Sequence, residues 1–269
     1  MTLPASPPIK ASDINVELGR SGSAAFDING SEERALAGIP SGAIKFSDFL
    51  GKSSFSVTYQ GIFSTSMIGL TNITVSGATF GTASSSRRMF AAIHAIGGAG
   101  AARTLSSASI GGVGATIHAN ISDHFGAGTA TWNLAIISAL VPSGSSGNIV
   151  LNYPASWTSG TVYVAMTNAI GLVGNTANDT ASNFPPSGGA SASTTISVPA
   201  NGVLIACGLQ ELATDITMSA PTPVTYDTTD YCGAILSGQS SNGSRSLALT
   251  SSGGSTPSCA IAGVTWVGQ

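Results

Sequence analysis

The sequence predicts a mainly β fold: an antiparallel β-sandwich of jelly-roll character, preceded by a short N-terminal segment with small helices. Three observations carry this. Only 8 % of the 269 residues are charged, where an ordinary globular domain has about 25 %, and Ser, Thr, Gly, Ala, Val and Ile dominate. From Ser53 onward, short runs rich in β-branched residues follow one another between Gly, Ser, Asn and Pro. No amphipathic helix of the kind a βαβ unit needs lies between them. A hydrophobic content of 42 % is enough for a packed core, unlike that of a disordered chain.

The charges divide the chain. Of nine basic and twelve acidic residues, eleven lie in residues 1–52, and no lysine follows Lys52. This sets a boundary between an N-terminal segment, 1–52, and a β domain, 53–269. The segment contains an echo, Ile9-Lys10-Ala11-Ser12-Asp13-Ile14 against Ile44-Lys45-Phe46-Ser47-Asp48-Phe49. Each copy places Ser before Asp and an apolar residue, which is N-cap chemistry, and each is followed by a capping glycine, Gly19 or Gly51. Two short helices are expected there. A third is expected over 31–38, with Ser31 as cap, Glu32 and Glu33 in the first turn where the dipole favours them, and Gly38 as its end. Leu18, Phe26, Ile28, Leu36, Phe46 and Phe49 are too few large apolar side chains to hold such a segment together alone. It is expected to dock on a partner.

Strands are expected at 54–60, 71–76, 87–96, 116–121, 130–141, 148–153, 161–167, 193–198, 203–209, 232–236, 246–250 and 259–267. Alternation is clearest at 161–166 and 193–198, while 203–209 reads as buried on both faces. The stretches 142–147, 175–189 and 201–202 read as loops, and 97–100 and 111–114 as flexible glycine turns. Turn-punctuated strands without crossover helices indicate an antiparallel sandwich or jelly roll.

Several chemistries are excluded. Nine basic residues with no cluster larger than Arg87-Arg88 offer no footprint for nucleic acid. The apolar runs are far shorter than the roughly 18 residues of a membrane span, and the start has no basic region followed by an apolar one, so no signal peptide is visible and folding in a cytoplasm is expected. Cys207, Cys232 and Cys259 form no CxxC pair, which removes support for zinc. Ser143-Gly144-Ser145-Ser146-Gly147 lacks the spacing and helix of a nucleophile elbow. The glycine runs fail the dinucleotide and P-loop patterns, and 227–230 reads as a turn rather than a calcium loop. His94, in an apolar run, reads as a packed strand residue. Asp123-His124 with His118 has no metal-ligand spacing and reads as solvated loop. Six acids in 53–269 mark no glycosidase pair. No enzyme and no cofactor are expected.

Two side chains stand out in the β domain. Cys207 and Cys259 sit in apolar runs and read as buried, whereas Cys232, beside Asp230 and Tyr231, is the candidate for an inter-subunit disulfide. Trp132 and Trp266 read as core, whereas Trp157, in Tyr153-Pro154-Ala155-Ser156-Trp157-Thr158, reads as a loop aromatic able to contact a glycan.

Ala11-Ser12-Asp13-Ile14-Asn15-Val16-Glu17-Leu18-Gly19-Arg20, followed by Gly42-Ala43-Ile44-Lys45-Phe46-Ser47-Asp48-Phe49-Leu50-Gly51-Lys52, resembles a segment recurring at the start of tailed-bacteriophage virion proteins. There it typically reads Ser-Asp-Ile…Glu-Leu-Gly and then Ile-Ser-Phe-Ser-Asp-Phe-Tyr-Gly; here Lys45 replaces a small polar residue and Leu50 an aromatic. The resemblance covers about a fifth of the chain and implies a particle-docking segment joined to a variable β domain. On this basis the expectation is a non-enzymatic structural protein of a tailed-phage virion, a neck, collar or tail appendage, with the sandwich facing outward. A capsid decoration protein and an adhesin or lectin module for host polysaccharide are the alternatives. Ile14, Leu18, Phe46 and Phe49 would supply the docking contacts, with Asp13 and Asp48 at the helix starts. The partners expected are other virion proteins, further copies of this chain and host surface polysaccharide, with no nucleic acid or membrane. Assembly in a host cytoplasm followed by release of the whole particle accounts for an outward-facing protein without a signal peptide.

Overall fold

A computed structural model describes residues 3–18, 20–52, 54–98, 100–125, 130–185, 191–211, 215–219, 224–228, 230–238, 241–252 and 258–268. The N-terminal segment holds helices α1 (Ala11–Glu17) and α2 (Ser31–Ala37) and a 3-10 turn at Phe46–Phe49. Its two echoes start alike, but the serines do not cap. Lys10 and Lys45 are the N-caps, and their backbone N–H groups donate to the Asp13 and Asp48 carboxylates at 2.9 and 2.7 Å, the reach-back half of a capping box. Gly38 (φ +75) and Gly51 (φ +66) close α2 and the turn in the left-handed region; Gly19 lies outside the described residues.

The segment also has a core of its own. Leu3, Ile14, Leu36, Ala37 and Phe49 are buried together, with Ile9, Leu18, Phe26, Ile28, Ile39 and Ile44 packed around them. This corrects the expectation of too few apolar side chains: Leu3, Ile9, Ile14, Ile39 and Ile44, which that count omits, complete the cluster. Arg20 binds Glu32 and Glu33, and Arg34 donates to the carbonyls of Asn29, Ile39 and Gly42. The segment is therefore a stapled module.

The β region forms two sandwiches, not the single one expected. The first uses β1 (Ser56–Ser66), β2 (Asn72–Thr79), β3 (Arg88–Gly98), β4 (Ser107–Ile110), β5 (Val113–Gly114), β6 (Thr116–Phe125), β7 (Ala130–Leu140), β8 (Ser146–Asn152) and β9 (Thr161–Ile170). The second uses β10 (Asp179–Asn183), β11 (Ser191–Val198), β12 (Val203–Glu211), β13 (Asp215–Ser219), β14 (Val224–Asp227), β15 (Tyr231–Ser237), β16 (Gly243–Ser252) and β17 (Ser258–Trp266). All twelve expected strands are present, within a few residues at their ends. The short strands β4, β5, β10, β13 and β14 are additional, so the stretch 175–189 is not wholly loop.

Within the first sandwich the sheets run β1-β9-β3-β7-β6 and β2-β8-β4-β5; within the second they run β10-β17-β12-β15-β14 and β11-β16-β13. These orders superimpose: β1 answers to β10, β2 to β11, β3 to β12, β4 to β13, β6 to β14, β7 to β15, β8 to β16 and β9 to β17. Each half alternates its strands between two facing antiparallel sheets in jelly-roll fashion. The chain is thus a tandem of two rolls with one topology.

Four sheets stack as four layers. An outer and an inner sheet enclose each roll's own core, and the two inner sheets pack on each other through a third cluster. Alternate residues of one strand serve different cores. In β3, Met89, Ala91, Ile93 and Ala95 face the first roll's interior, while Phe90 and Ala92 face the second roll. This is why β3, β7, β9, β12 and β17 carry nearly continuous apolar runs although their pairings with neighbouring strands are antiparallel. Tyr59 of β1 stacks on Tyr226 of β14 with ring centroids 5.6 Å apart, and β6 lies against β10. That is the arrangement a two-fold axis parallel to the strands would give.

Candidate functional site

The pairing registers give the stack two distinct ends. β1 enters from the N-terminal module at Ser56, opposite Ile170, and leaves at Ser66, opposite Thr161. The near end, where the module joins, also receives Arg88, Leu140, Val203 and Trp266. The connections β6–β7, β10–β11, β12–β13, β14–β15 and β16–β17 leave from the far end, as do 67–71 and 153–160. By register, Asp123, Glu211, Asp215, Asp227 and Asp230 fall toward the far end, and Arg87, Arg88 and Arg245 toward the near end.

At the near end, Glu17 ties module to body. It is buried, and its carboxylate accepts the Ser54 backbone N–H at 2.8 Å while its carbonyl accepts the Ser54 hydroxyl. Of the docking residues expected, Ile14 and Phe49 are fully buried in the module's own core. That corrects their assignment, since side chains committed to an internal core offer no contact surface. Leu18 is partly buried against the same core, and Asp13 and Asp48 are capping groups. Phe46 remains exposed, at 39 %, against Phe26. Val16, exposed at 41 %, joins it as an outward apolar side chain; its place on the polar side of α1 carried no signal in the sequence.

The expectations for Cys232 and Trp157 are both overturned by burial. Cys232 lies in the core between the second inner and outer sheets with no exposed surface, and burial, then the nearby Asp227 carboxylate, pushes its thiol pKa up. All three cysteines are buried, and none forms a disulfide. Trp157 is likewise fully buried, edge-on to Tyr153 at 5.2 Å, under the Arg103 guanidinium. Gly97 and Gly98, expected in a flexible turn, belong to β3, where a Cβ would come within 2.6 Å of Trp157 or Ser159 atoms.

His94 and His118 both pack against aromatic rings. His94 is fully buried between the rolls against Tyr231 at 5.0 Å and Tyr226 at 5.9 Å. Burial pushes its pKa down to about 3, offset in part by backbone groups at Cys232 and Tyr163. His118 Nε2 lies 2.8 Å from the Ser138 hydroxyl and packs edge-on to Trp266. Burial, then the Arg88 charge, lowers its pKa to about 4. No carboxylate orients this pair, and Ser138 is itself buried, so it lacks what a nucleophile and its base require. Among the described residues no three His, Cys, Asp or Glu side chains gather as metal ligands.

Among the described residues, three buried arginines, Arg87, Arg88 and Arg103, meet no carboxylate within 4 Å. Arg87 directs all five N–H groups at carbonyls, those of Val141, Phe80, Gly81, Ser143 and Gly144, at 2.7–3.4 Å. Arg88 lies over Trp266 at 4.7 Å and donates to Ser138 and Asn175. Arg103 lies over Trp157 at 5.2 Å. Carbonyl dipoles and ring faces take the place of counter-ions. Comparison with protein-family models finds no match for this chain, and comparison with curated proteins finds no significant relative.

Proposed function

We propose that the chain is a non-enzymatic structural protein of a tailed-phage virion, with residues 1–52 docking to the particle and the two rolls projecting outward. The observation that carries this reading is the separation of ends. The module bearing the virion-like motif joins at one end of the stack, and five acidic residues of the rolls, Asp123, Glu211, Asp215, Asp227 and Asp230, fall by register toward the other. A separately cored module can seat in a partner without disturbing the rolls. Phe46 and Val16 are the apolar side chains it has to offer. The near absence of surface charge in the rolls suits packing beside identical copies without repulsion, and further copies of this chain are the partners proposed. Assembly requires no cofactor. A neck, collar or tail position is favoured over capsid decoration.

Quantitative mass spectrometry of purified particles tests this reading. A low, reproducible copy number relative to the major capsid protein is expected. Near-capsid abundance would make the chain a decoration protein, and absence from particles would overturn the assignment. Deleting residues 1–52 is expected to abolish incorporation while leaving the rolls folded.

A further inference from the structure

We propose that the exposed face of the first outer sheet binds an uncharged saccharide chain. The inference does not depend on the virion reading and concerns residues outside the N-terminal module. None of the four strands of this sheet carries a charged residue. Their inward residues fill the first roll's core, and their outward residues include Asn72 and Thr74 on β2, Asn148 and Asn152 on β8, and Ser107 and Ser109 on β4. Such a face offers no partner to an ionic ligand, but it matches the donors and acceptors of sugar hydroxyls.

Two features make it more than a polar surface. At the near end of the face lies a groove of about 540 Å³, walled by the Gly111–Val113 turn and the 142–146 loop, with Ser109, Asn148 and Val150 along it. Phe80 lies directly beneath: a Cβ on Gly147 or Gly111 would stand 2.7 or 2.9 Å from its ring. Glycine at these positions keeps the floor low. Arg87 grips the Ser143 and Gly144 carbonyls from below at 2.7 and 2.8 Å, so the wall is held in place before any ligand arrives, which lowers the cost of binding. At the other end, the Asn152 amide donates to Ser107 Oγ at 3.0 Å and accepts from Asn72 Nδ2 at 2.6 Å. Both amides are thereby oriented across three strands, each with donor and acceptor capacity left over. β8, which joins the two features, has seven residues and spans about 23 Å, room for several sugar rings. Val113, exposed at 39 %, adds an apolar contact for their C–H faces. The second outer sheet turns Ser193, Thr195 and Ser197 outward at the equivalent strand but has no amide ladder there, which makes it an internal control.

The test uses the full-length chain on an array of neutral and anionic bacterial surface polysaccharides, with calorimetry on any polymer retained. Binding of at least one neutral polymer is expected. Asn148→Ala and Ser109→Asp should each weaken it ten-fold or more, and Thr195→Asp on the second outer sheet should leave it unchanged. Asn148 is exposed, and its carbonyl, which holds the Gly111 N–H, survives the substitution, so this variant should fold. Retention of anionic polymers alone, retention of none, or affinity indifferent to both variants would overturn the proposal. So would self-association lost in Ser109→Asp without glycan binding, which would make the face a contact between copies. Absence of the chain from virions would overturn the function proposed above and leave this inference standing.

Discussion

Lowering the pH from 7 to 4 should destabilise the folded chain by about 3 kcal/mol through His94. The ring has no exposed surface and sits among Tyr163, Tyr226 and Tyr231, where the two rolls meet, with no carboxylate against it. Its pKa is pushed down to about 3 by burial, whereas the unfolded chain titrates near the ordinary value of about 6.5. Between these limits the unfolded state takes up a proton that the folded state refuses, so stability is intact above about pH 6.5 and drains away as the pH falls toward 3. Each pH unit in that window costs about 1.4 kcal/mol, which gives the figure at pH 4. His118, lowered to about 4, adds in the same direction, by less because solvent reaches part of its ring. Urea unfolding followed by tryptophan fluorescence at pH 7, 5.5 and 4 measures the loss. Trp132 and Trp266, both in the contact between rolls, report on it directly. His94→Phe keeps the aromatic packing and removes the proton site, so its stability should fall with pH much less steeply. Equal losses in wild type and His94→Phe would refute the reasoning.

Three further outcomes follow from packing. Arg87→Met should cost about 1–3 kcal/mol in the same unfolding assay, because the buried Val141 carbonyl loses its donor while Ser143 and Gly144 can turn to water. Ile14→Ala removes about 2–5 kcal/mol from a module whose small core supplies about that much; limited proteolysis read by mass spectrometry should then cut within residues 3–52 and leave the rolls intact. Gly160→Ala, at φ +111 with its Cβ 2.1 Å from the Ile96 carbonyl oxygen, should abolish soluble expression, whereas Gly114→Ala, with nothing within 4 Å, should be neutral.

What the sequence discloses and what it hides divide along physical lines. The long strands are legible because their β-branched runs are local signals. The strands that escaped, such as Ser107–Ile110 and Asp179–Asn183, are four or five residues long and mostly Ser, Ala, Thr and Asn, a composition shared with turns. The duplication is hidden because the two rolls share a topology rather than a spacing of residues. Burial on both faces is visible for 203–209, yet it takes the four-layer stack to explain it. Trp157 and Cys232 were misplaced for one reason: polar neighbours in sequence say little about what a side chain meets across the fold, and both meet a core. In the module, the starts of the two echoes are legible, but the caps are not: they fall on Lys10 and Lys45, whose backbone N–H groups the Asp13 and Asp48 carboxylates accept, and not on the serines.

The handling of sheet edges bears on how copies can meet. Exposed edges invite strand addition, and lysine is a common guard, yet residues 53–269 contain none. Other devices stand in its place. The register shifts at Gln60, between Val75 and Ala78, between Ile117 and Ala119, and between Val224 and Tyr226 all fall on the edge strands β1, β2, β6 and β14, where a bulge turns the backbone away from a would-be partner. The regular edge of β11 is closed by side chains instead: Asn183 donates to the Ser193 carbonyl, Asn178 to the Ser197 carbonyl, and Asp179 accepts the Ser197 N–H at 2.8 Å. Two of these three groups come from β10, so the second roll seals its own seam. Three of the rolls' four arginines are spent inward, Arg87, Arg88 and Arg103 stapling loops and covering rings rather than solvating a surface. A body guarded in this way offers a neighbour few long, regular strand edges, and by register its acids gather toward the far end. The two proposals place its contacts on the first roll's uncharged outer face and on the N-terminal module.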